Sequence, residues 1–572
     1  MSTYKAVALD FDGTLTDSAG VSGAVIDALR RARSRGVLLL LVTGRILDEL
    51  EQVFPACHGL FDAIVAENGA VLSSAGHARL LVSPVSSALY DRLCARGVDA
   101  RRGRVLIACH AADNRAVLDE TRALGLEDQL VRNRGELMIL PPGVTKASGV
   151  QAAMRELGLN AHNLVAVGDA ENDHAMLAAA ELGVAVRNAV PSLKAEADLV
   201  LSEPNGAGIV SLLDGSVLRG DELQEVPRHQ ISIGTDSRGH PVRLGSRRRT
   251  LVTGGTHSGK SFVAGLVTER LVAAGYVVLV FDAEGDHVEL DRLPPVVTTK
   301  VEPLASDGAT AILLGHRSMS QIVDMSELSG PRQQDLVASL LPHIEAQRRH
   351  RGTPHMIVFD EAHLFFTDPA LPDVLSSDDG GCCLITYVPA ALPQQVLEQM
   401  DRAVVLPFGT TTAPDPNVTT VATIGAVDPL ALARRLDRTT GAVLLDRDRP
   451  GEIIDIVIDD RSTPHVRHRH KYVERVVDPQ HSFRFCERDG DTSGVVARSI
   501  DELRRELHRC SRATLRHHCS RHDLSRWTAD IVHDEALAEA LSAGERLAMK
   551  DDSHIERGRA ALLDAIESRY LR

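Results

Sequence analysis

Residues 6–17 read Ala6-Val7-Ala8-Leu9-Asp10-Phe11-Asp12-Gly13-Thr14-Leu15-Thr16-Asp17, an apolar run that ends in a pair of aspartates. The run predicts a buried strand, so both carboxylates should emerge at its carboxyl end. In α/β folds this edge of the sheet is where ligands bind. The stretch therefore predicts an α/β domain with an acidic site at the end of its first strand.

Composition narrows the classes of protein that this chain can represent. A length of 572 residues exceeds one hydrophobic core and predicts about three or four domains. The net charge of -15 argues against a chain that binds nucleic acid or an anionic membrane along its whole length. Eight cysteines show no pairing pattern, and no leader or long apolar segment is visible, so we expect a reduced, cytoplasmic protein without a membrane partner.

Apolar runs that alternate with helical patterns divide the chain into domains. We predict α/β domains at residues 1–218 and 229–460, a basic His-rich linker at 461–480 and a small, mainly helical domain at 481–572. The second α/β domain should begin with a hairpin at Ile231 to Leu244 that turns at Asp236-Ser237-Arg238-Gly239. Within the first domain, about residues 84–140 have the pattern of a small α+β insertion.

Three further motifs follow the aspartate pair in the first domain: Val42-Thr43-Gly44-Arg45, then Pro141-Pro142-Gly143-Val144-Thr145-Lys146, then Gly168-Asp169-Ala170-Glu171-Asn172-Asp173. In this order the motifs resemble those of the haloacid dehalogenase superfamily of phosphatases, over about residues 4–212. The resemblance implies a Rossmann-like domain with a cap of the Cof-like type. It also implies a small phosphorylated metabolite as substrate, such as phosphoglycolate or a sugar phosphate.

The same resemblance implies a role for each motif residue. Asp10 would be the nucleophile that forms an aspartyl phosphate, and Asp12 the general acid and base. Mg²⁺ would be held by Asp10, Asp169, Asp173 and the backbone carbonyl of Asp12. The side chains of Thr43 and Lys146 would stabilise the phosphoryl group during catalysis. The residues implied in substrate binding are Thr43, Gly44, Arg45, Lys146 and Asn172.

The second α/β domain contains a glycine-rich loop between a predicted strand, Arg249 to Thr253, and a predicted helix, Phe262 to Ala274. The loop reads Gly254-Gly255-Thr256-His257-Ser258-Gly259-Lys260-Ser261, which has the spacing of a Walker A motif. Its amides and Lys260 predict ATP phosphate binding, and Ser261 predicts a Mg²⁺ ligand. A later strand ends in Asp360 and Glu361, a Walker B pair for the metal and for the attacking water.

Together with the segment Phe281-Asp282-Ala283-Glu284-Gly285-Asp286, these motifs resemble the HerA and FtsK branch of ATPases. The resemblance implies a homo-oligomer, commonly a hexamer, that binds ATP between subunits. Two residues depart from the pattern: His257 replaces a glycine, and Tyr387 stands where a glutamine that senses the γ-phosphate is expected. Candidates for an arginine finger in trans are Arg402, Arg434 and Arg435.

Three hypotheses about function remain open. The first is a Mg²⁺-dependent phosphatase for a small metabolite, joined to a domain that binds and hydrolyses ATP. The second is a translocase-like ATPase that acts on nucleic acid, with a phosphatase for polynucleotide ends; the third is an ATPase ring that serves as a scaffold. The cap, the acidic net charge and the altered Walker residues favour the first, so nucleic acid is not favoured as a partner.

Overall fold

The computed structural model describes residues 4–133, 135–220, 225–255, 258–301, 316–366, 380–408, 415–439, 441–463, 477, 481–487, 495–532, 534–551 and 553–570. Two residues of the predicted P-loop, Thr256 and His257, lie outside these ranges. The basic cluster of the predicted linker, residues 464–476, lies outside them too. Within the described ranges, no helix has both the length and the apolar character needed to cross a bilayer.

The N-terminal α/β domain alternates strands and helices, as the apolar runs predict. Its described strands are Ala6–Asp10 (β1), Leu38–Val42 (β2), Ala63–Ala66 (β3), Val71–Ser74 (β4), His77–Leu80 (β5), Arg101–Arg102 (β6), Ile107–His110 (β7), Gln129–Asn133 (β8), Glu136–Leu140 (β9), Leu164–Gly168 (β10), Leu182–Ala185 (β11) and Leu199–Val200 (β12). Its described α-helices are Gly23–Ser34 (α1), Leu47–Val53 (α2), Cys57–Leu60 (α3), Ser87–Ala95 (α4), Asn114–Ala123 (α5), Lys146–Glu156 (α6), His174–Ala179 (α7), Pro191–Glu196 (α8), Asn205–Leu213 (α9) and Ser216–Arg219 (α10).

The central sheet of this domain brings the motifs to one edge. Among the described strands its order is β12-β11-β10-β1-β2-β3-β4-β5, and β1 is parallel to both β10 and β2. Every residue of β1 is buried, as expected for a central strand of a parallel sheet. The carboxyl ends of β1, β2 and β10 lie side by side, so Asp10, Thr43 and Asp169 belong to the same edge.

A small antiparallel sheet forms the cap, with the described order β6-β7-β9-β8. Ile107 and Ile139 share a hydrophobic core with the cap helices α4 and α5. Ala108 is the neighbour of Ile107 on β7, and Met138 is the neighbour of Ile139 on β9. Both pack instead with the core of the α/β domain. Because side chains alternate along a strand, one cap face carries its own core and the other faces the central sheet.

The second α/β domain begins with the predicted hairpin. Its described strands are Ile231–Thr235 (β13), Pro241–Leu244 (β14), Arg249–Thr253 (β15), Val278–Asp282 (β16), Val296–Lys300 (β17), Ser320–Asp324 (β18), Met356–Phe359 (β19), Gly381–Thr386 (β20), Arg402–Val405 (β21), Ala442–Asp446 (β22) and Ile454–Ile458 (β23). Its described α-helices are Lys260–Ala273 (α11), Gly330–Arg351 (α12), Gln394–Glu398 (α13), Pro416–Ala422 (α14) and Pro429–Leu436 (α15). In the described part of the chain these strands form one sheet, in the order β14-β13-β23-β22-β21-β15-β20-β19-β16-β18-β17.

The C-terminal region is mainly helical, as predicted. Its described elements are the strands Phe483–Arg484 (β24) and Val496–Ala497 (β25) and the helices Ile500–Arg509 (α16), Arg512–Arg521 (α17), Asp523–Trp527 (α18), Glu535–Ala548 (α19) and Ile555–Tyr570 (α20). The leucines that mark its helical pattern, Leu503, Leu507, Leu515 and Leu524, are buried in one core. The predicted fold class, a capped α/β domain followed by a P-loop domain and a helical region, is therefore confirmed.

Candidate active site

Three carboxylates meet at the carboxyl edge of the first sheet. Asp10, Asp169 and Asp173 each offer an oxygen, and these oxygens lie within 4.8 Å of one another in a buried site. Lys146 pairs with two of these carboxylates, and its single positive charge is smaller than the charge of three ionised carboxylates. A hard divalent cation such as Mg²⁺ fits this oxygen set and would neutralise it.

Lys146 connects two of the three carboxylates. Its Nζ donates to Asp10 Oδ1 and to Asp173 Oδ1, at 2.6 Å in both cases. Burial alone would lower the pKa of Lys146, but the two aspartates raise it above the ordinary range. Lys146 is the first residue of α6, which begins with a capping box between Thr145 and Ser148. The helix start therefore fixes the ammonium group between the carboxylates.

The Asp10 carboxylate is buried at the end of β1. Its burial raises its pKa well above the ordinary value, and the Lys146 charge opposes this shift only in part. A carboxylate acts as a nucleophile only when it is ionised. A divalent cation at the site would favour that ionised form because opposite charge stabilises it.

A glycine makes room for Asp173. A Cβ on Gly168 would lie 2.5 Å from Asp173 Cβ, so a side chain at this position would displace the aspartate. Asp173 Oδ2 also accepts the backbone N–H groups of Asp169 at 2.9 Å and of Ala170 at 3.0 Å. The carboxylate is thus held by the loop that carries the neighbouring candidate metal ligand.

Asp12 faces a cavity rather than the buried carboxylates. Arg45 pairs with it in a forked arrangement: Nε donates to Asp12 Oδ2 at 2.8 Å, and Nη2 donates to Oδ1 at 2.7 Å. These hydrogen bonds raise the pKa of Arg45 above its ordinary value. The structure thereby brings together two of the predicted site residues, a candidate acid/base group and a candidate substrate ligand.

Two other predicted residues, Thr43 and Asn172, follow β2 and β10 at the same edge of the sheet. Thr43 is fully buried, and its Oγ1 accepts the backbone N–H of Arg45 at 3.1 Å. Asn172 Nδ2 donates to Asn68 Oδ1 at 3.3 Å. In the described part of the chain the Asn172 Oδ1 atom is buried without a hydrogen-bond partner. An unpaired buried acceptor is costly, so this oxygen is suited to a hydrogen bond from a ligand.

The cavity in front of Asp10 has a volume of about 270 Å³. The α/β domain contributes Asp10, Asp12, Gly44 and Arg45 to its lining, all of them predicted site residues. The cap contributes Arg101, Ala108, Glu136 and Met138, none of which the sequence motifs single out. Their strands are separated from the motifs along the chain, so only the folded cap reveals them.

The buried Glu67, also absent from the sequence motifs, joins the cap to the α/β domain. Its side chain accepts backbone N–H groups from Arg104 at 2.8 Å, Val105 at 2.8 Å and Leu106 at 2.9 Å. A Cβ on Gly103 would lie 2.6 Å from this carboxylate. Glu67 itself has φ 53°, a left-handed conformation that is rare for a residue with a side chain. One carboxylate therefore anchors the chain segment that leads into β7.

The P-loop lies between β15 and α11, as predicted. Lys260 is buried and its Nζ donates to the Gly255 carbonyl at 2.8 Å. Burial lowers its pKa, against the opposite effect of Glu361, Asp360 and Asp286. Gly254 and Gly259 have φ values of 155° and 100°, so glycine suits both positions. These described residues fit a phosphate-binding loop, with a Ser258 hydroxyl that is buried and unpaired in the described part of the chain.

The Walker B aspartate contacts a histidine that sequence reasoning missed. His287 Nε2 lies 3.1 Å from Asp360 Oδ2, and both side chains are buried. Burial alone would lower the pKa of His287, but its hydrogen bond to Asp360 and nearby carboxylates raise it to about 9. Glu361 follows with φ 52° and ψ 48°. The left-handed turn directs the chain away from β19 immediately after Asp360.

The structure shows the surroundings of two residues named in the ATPase predictions, Tyr387 and Arg402. Thr386 ends β20, and its Oγ1 lies 3.1 Å from His363 Nδ1, whereas the following residue, Tyr387, is 41% exposed. Tyr387 nonetheless contacts the same segment: its ring meets the His363 ring edge-on, with centres 5.0 Å apart, and Lys260 Nζ lies 5.9 Å from the Tyr387 ring centre. Arg402 is buried, and its Nε donates to Asp446 Oδ2 at 2.8 Å. An arginine committed to its own chain in this way does not fit a finger that reaches another subunit.

Comparisons with known proteins agree with both sets of motifs. A family model described as haloacid dehalogenase-like hydrolase matches residues 7–120 and 130–213. A second, described as the central domain of the helicase HerA, matches residues 231–353. A solved haloacid dehalogenase-like hydrolase from Bacteroides thetaiotaomicron is 21% identical, with a TM-score of 0.33 over 37% of this chain and 98% of that chain.

Curated relatives match the first domain. Phosphoglycolate phosphatase from Methanothermobacter thermautotrophicus is 32% identical over 212 residues, which is 36% of this chain and 95% of the relative. Phosphoglycolate phosphatase 2 from Saccharolobus solfataricus is 45% identical over 94 residues, 16% of this chain and 40% of the relative. The chain therefore belongs to the haloacid dehalogenase-like hydrolases and joins that domain to one similar to the central domain of HerA.

Proposed function

We propose that the chain hydrolyses a small phosphomonoester, with phosphoglycolate as the first candidate, in a Mg²⁺-dependent reaction through an aspartyl phosphate. The observation that carries the proposal is the buried group of Asp10, Asp169, Asp173 and Lys146, of which Asp10 lines a cavity under the cap. The names of the curated relatives support the choice of substrate. Free thiols at all eight cysteines support a reducing compartment such as the cytoplasm.

In the first half of the proposed reaction, an oxygen of Asp10 attacks phosphorus. The new oxygen–phosphorus bond forms as the bond to the leaving-group oxygen breaks, and Asp12 gives that oxygen a proton. In the second half, Asp12 takes a proton from water, the water oxygen attacks phosphorus, and phosphate leaves with the Asp10 carboxylate restored. The nucleophile and the acid/base group must both reach the substrate, and the Asp10 and Asp12 side chains both line the cavity.

In this proposal the remaining side chains stabilise the charge of the phosphoryl group and position it. Lys146 offsets the repulsion between the Asp10 carboxylate and the phosphoryl oxygens, because its ammonium lies 2.6 Å from Asp10 Oδ1. Mg²⁺, held by Asp10, Asp169 and Asp173, would supply further positive charge at the phosphoryl group. Thr43 and Asn172 lie at the same sheet edge, and within the described residues the buried Asn172 Oδ1 has no hydrogen-bond partner, so it is suited to accept a hydrogen bond from the substrate. The cap covers the cavity and limits the size of the leaving group.

For the second α/β domain we propose ATP binding and hydrolysis, with Lys260 on the phosphates, Ser261 and Asp360 on Mg²⁺ and Glu361 on the attacking water. We further propose a homo-oligomer, with a hexamer as the first candidate, in which neighbouring copies complete the nucleotide site. Light scattering with and without a slowly hydrolysed ATP analogue tests this assembly. A monomer under both conditions would contradict it.

The direct test of the phosphatase proposal is phosphate release by the purified full chain. The panel contains phosphoglycolate, sugar phosphates and phosphorylated oligonucleotides, each with and without Mg²⁺ and ATP. We expect Mg²⁺-dependent release from a small phosphomonoester and little from the oligonucleotides. Preference for the oligonucleotides would favour a polynucleotide-end phosphatase instead, because the capped cavity would then admit the end of a polymer.

A further inference from the structure

Among the described cap arginines, Arg101 lines the cavity. In the cap sheet Arg101 on β6 lies opposite Ala108 on β7, and Ala108 lies opposite Met138 on β9. All three residues line the cavity in front of Asp10. The next residue, Arg102, has its guanidinium carbon 5.7 Å from the ring centre of Tyr90 on the cap helix α4. Strand alternation therefore separates two neighbouring arginines, and only Arg101 faces the site.

Two glutamates hold Arg101 across the cavity. Arg101 Nη1 donates to Glu49 Oε2 at 3.0 Å, and Nη2 donates to Glu136 Oε2. Glu49 belongs to α2 of the α/β domain and Glu136 to β9 of the cap, so the pairs connect the two walls. The Arg101 side chain is 43% exposed. Ion pairs that are this exposed to solvent contribute little net stability, so an incoming anion can replace either glutamate as the partner of Arg101.

The location of Arg101 indicates which part of the substrate it would bind. The phosphoryl group belongs at the Asp10 and Lys146 end of the cavity, so the leaving group extends toward the cap. A planar carboxylate is the natural partner of a guanidinium, because two parallel hydrogen bonds can form. The volume of about 270 Å³ restricts the leaving group to a small molecule.

We propose that Arg101 determines specificity by binding a carboxylate on the leaving group, in exchange for Glu49 or Glu136. The substrate class is then the phosphate monoester of a small hydroxy acid. This inference rests on the proposed phosphatase function and adds the residue that recognises its substrate. Arg45, on the opposite wall, pairs with Asp12 and belongs to the reacting end of the cavity.

The test compares phosphoglycolate with ethyl phosphate, which has a methyl group in place of the carboxylate. The full-length chain is assayed with Mg²⁺ as wild type, Arg101→Leu and Arg101→Lys. The matched control is Arg102→Leu, on the other face of the same strand. We expect Arg101→Leu to lower kcat/KM for phosphoglycolate on the order of 10- to 100-fold, the range for a hydrogen bond to a charged group. Its kcat/KM for ethyl phosphate should stay unchanged, Arg101→Lys should recover part of the loss, and Arg102→Leu should match wild type.

Other outcomes separate the inference from the proposed function. If wild type hydrolyses neither compound nor any other small phosphomonoester of the panel, the phosphatase proposal fails and the inference fails with it. If wild type hydrolyses both compounds equally well, the phosphatase proposal stands and the inference is wrong. An equal loss on both compounds in Arg101→Leu also overturns it, because Arg101 would then act only by holding the cap.

Discussion

His162 and Tyr276 stack against each other between the two α/β domains, with ring centres 3.7 Å apart and planes inclined by 15°. His162 precedes β10, whose carboxyl end leads to Asp169, and Tyr276 follows α11, which begins at Lys260. The Tyr276 hydroxyl donates to Glu181 Oε2 at 2.9 Å, and His162 Nδ1 lies 2.6 Å from the same oxygen. The candidate phosphatase and ATPase sites are thus connected by elements that meet at one buried polar cluster.

The buried polar cluster of His162, Glu181 and Tyr276 predicts that the stability of the chain depends on pH. Burial alone would raise the pKa of Glu181, but its hydrogen bond to His162 and the Arg247 charge lower it, to about 2. The ordinary pKa is 4.5, so the stabilising contribution is present above pH 4.5 and is lost as the pH falls toward 2. We expect Glu181→Gln to remove part of the acid destabilisation seen in this window.

Denaturant unfolding at pH 6 and at pH 3 measures this effect. The matched control is Glu203→Gln, an exposed glutamate of the same domain, which should keep the pH dependence of wild type. If Glu181→Gln and wild type lose the same free energy of unfolding between the two pH values, the Glu181 carboxylate does not stabilise the folded chain through its charge.

The nucleophile prediction concerns Asp10→Asn. The amide cannot form the aspartyl phosphate, so Mg²⁺-dependent hydrolysis of small phosphomonoesters should fall to background. Asp17→Asn, an exposed residue after the same strand, is the control and should stay active. Phosphate release under identical conditions is the measurement. Appreciable turnover by Asp10→Asn would remove Asp10 from the role of nucleophile.

The anchor between cap and α/β domain gives a prediction for Glu67→Ala. Three backbone N–H groups of the cap would lose their acceptor, at about 1–3 kcal/mol for each group left unpaired in the interior. We expect a less stable chain and a lower kcat/KM, because Arg101 and Met138 would no longer be held over the cavity. Glu127→Ala, at an exposed position in the cap, is the control.

Unfolding in denaturant and steady-state kinetics test the anchor together. Glu67→Gln should be intermediate, since its amide keeps one of the two acceptor oxygens. Wild-type stability and kinetics in Glu67→Ala would mean that the cap is held by its other contacts.

Sequence patterns predicted the parts of the site that depend on local structure. Asp10 follows an apolar run, and Lys260 follows a glycine-rich loop, so strand ends and helix starts fix their positions. Arg101 and Glu67 escaped prediction because the packing of the cap, not a local motif, brings Arg101 to the cavity and the cap backbone to Glu67. His287 was missed for a similar reason: its partner Asp360 follows a neighbouring strand but lies 73 residues away in the chain.

The P-loop prediction uses Lys260→Ala. This change removes the ammonium group that would contact ATP phosphates, so nucleotide binding should be lost. Lys300→Ala is the control, because Lys300 is exposed and pairs with Glu327 on the surface. A nucleotide-binding titration is the measurement, and phosphate release from phosphoglycolate is followed in parallel. Binding by Lys260→Ala equal to wild type would contradict the P-loop assignment.

The last prediction concerns nucleic acid. A translocase would bind DNA through its backbone charge, so its affinity would fall steeply with salt and DNA would stimulate its ATPase. We expect neither, because the net charge of the chain is -15 and the candidate finger Arg402 is buried against Asp446. ATP hydrolysis is measured near physiological salt with and without DNA, and Glu361→Gln serves to identify the hydrolysis that belongs to this site. Stimulation by DNA that disappears in Glu361→Gln would contradict the prediction. A nucleic-acid motor would then be the better account of the second domain, because ATP hydrolysis would be coupled to the polymer.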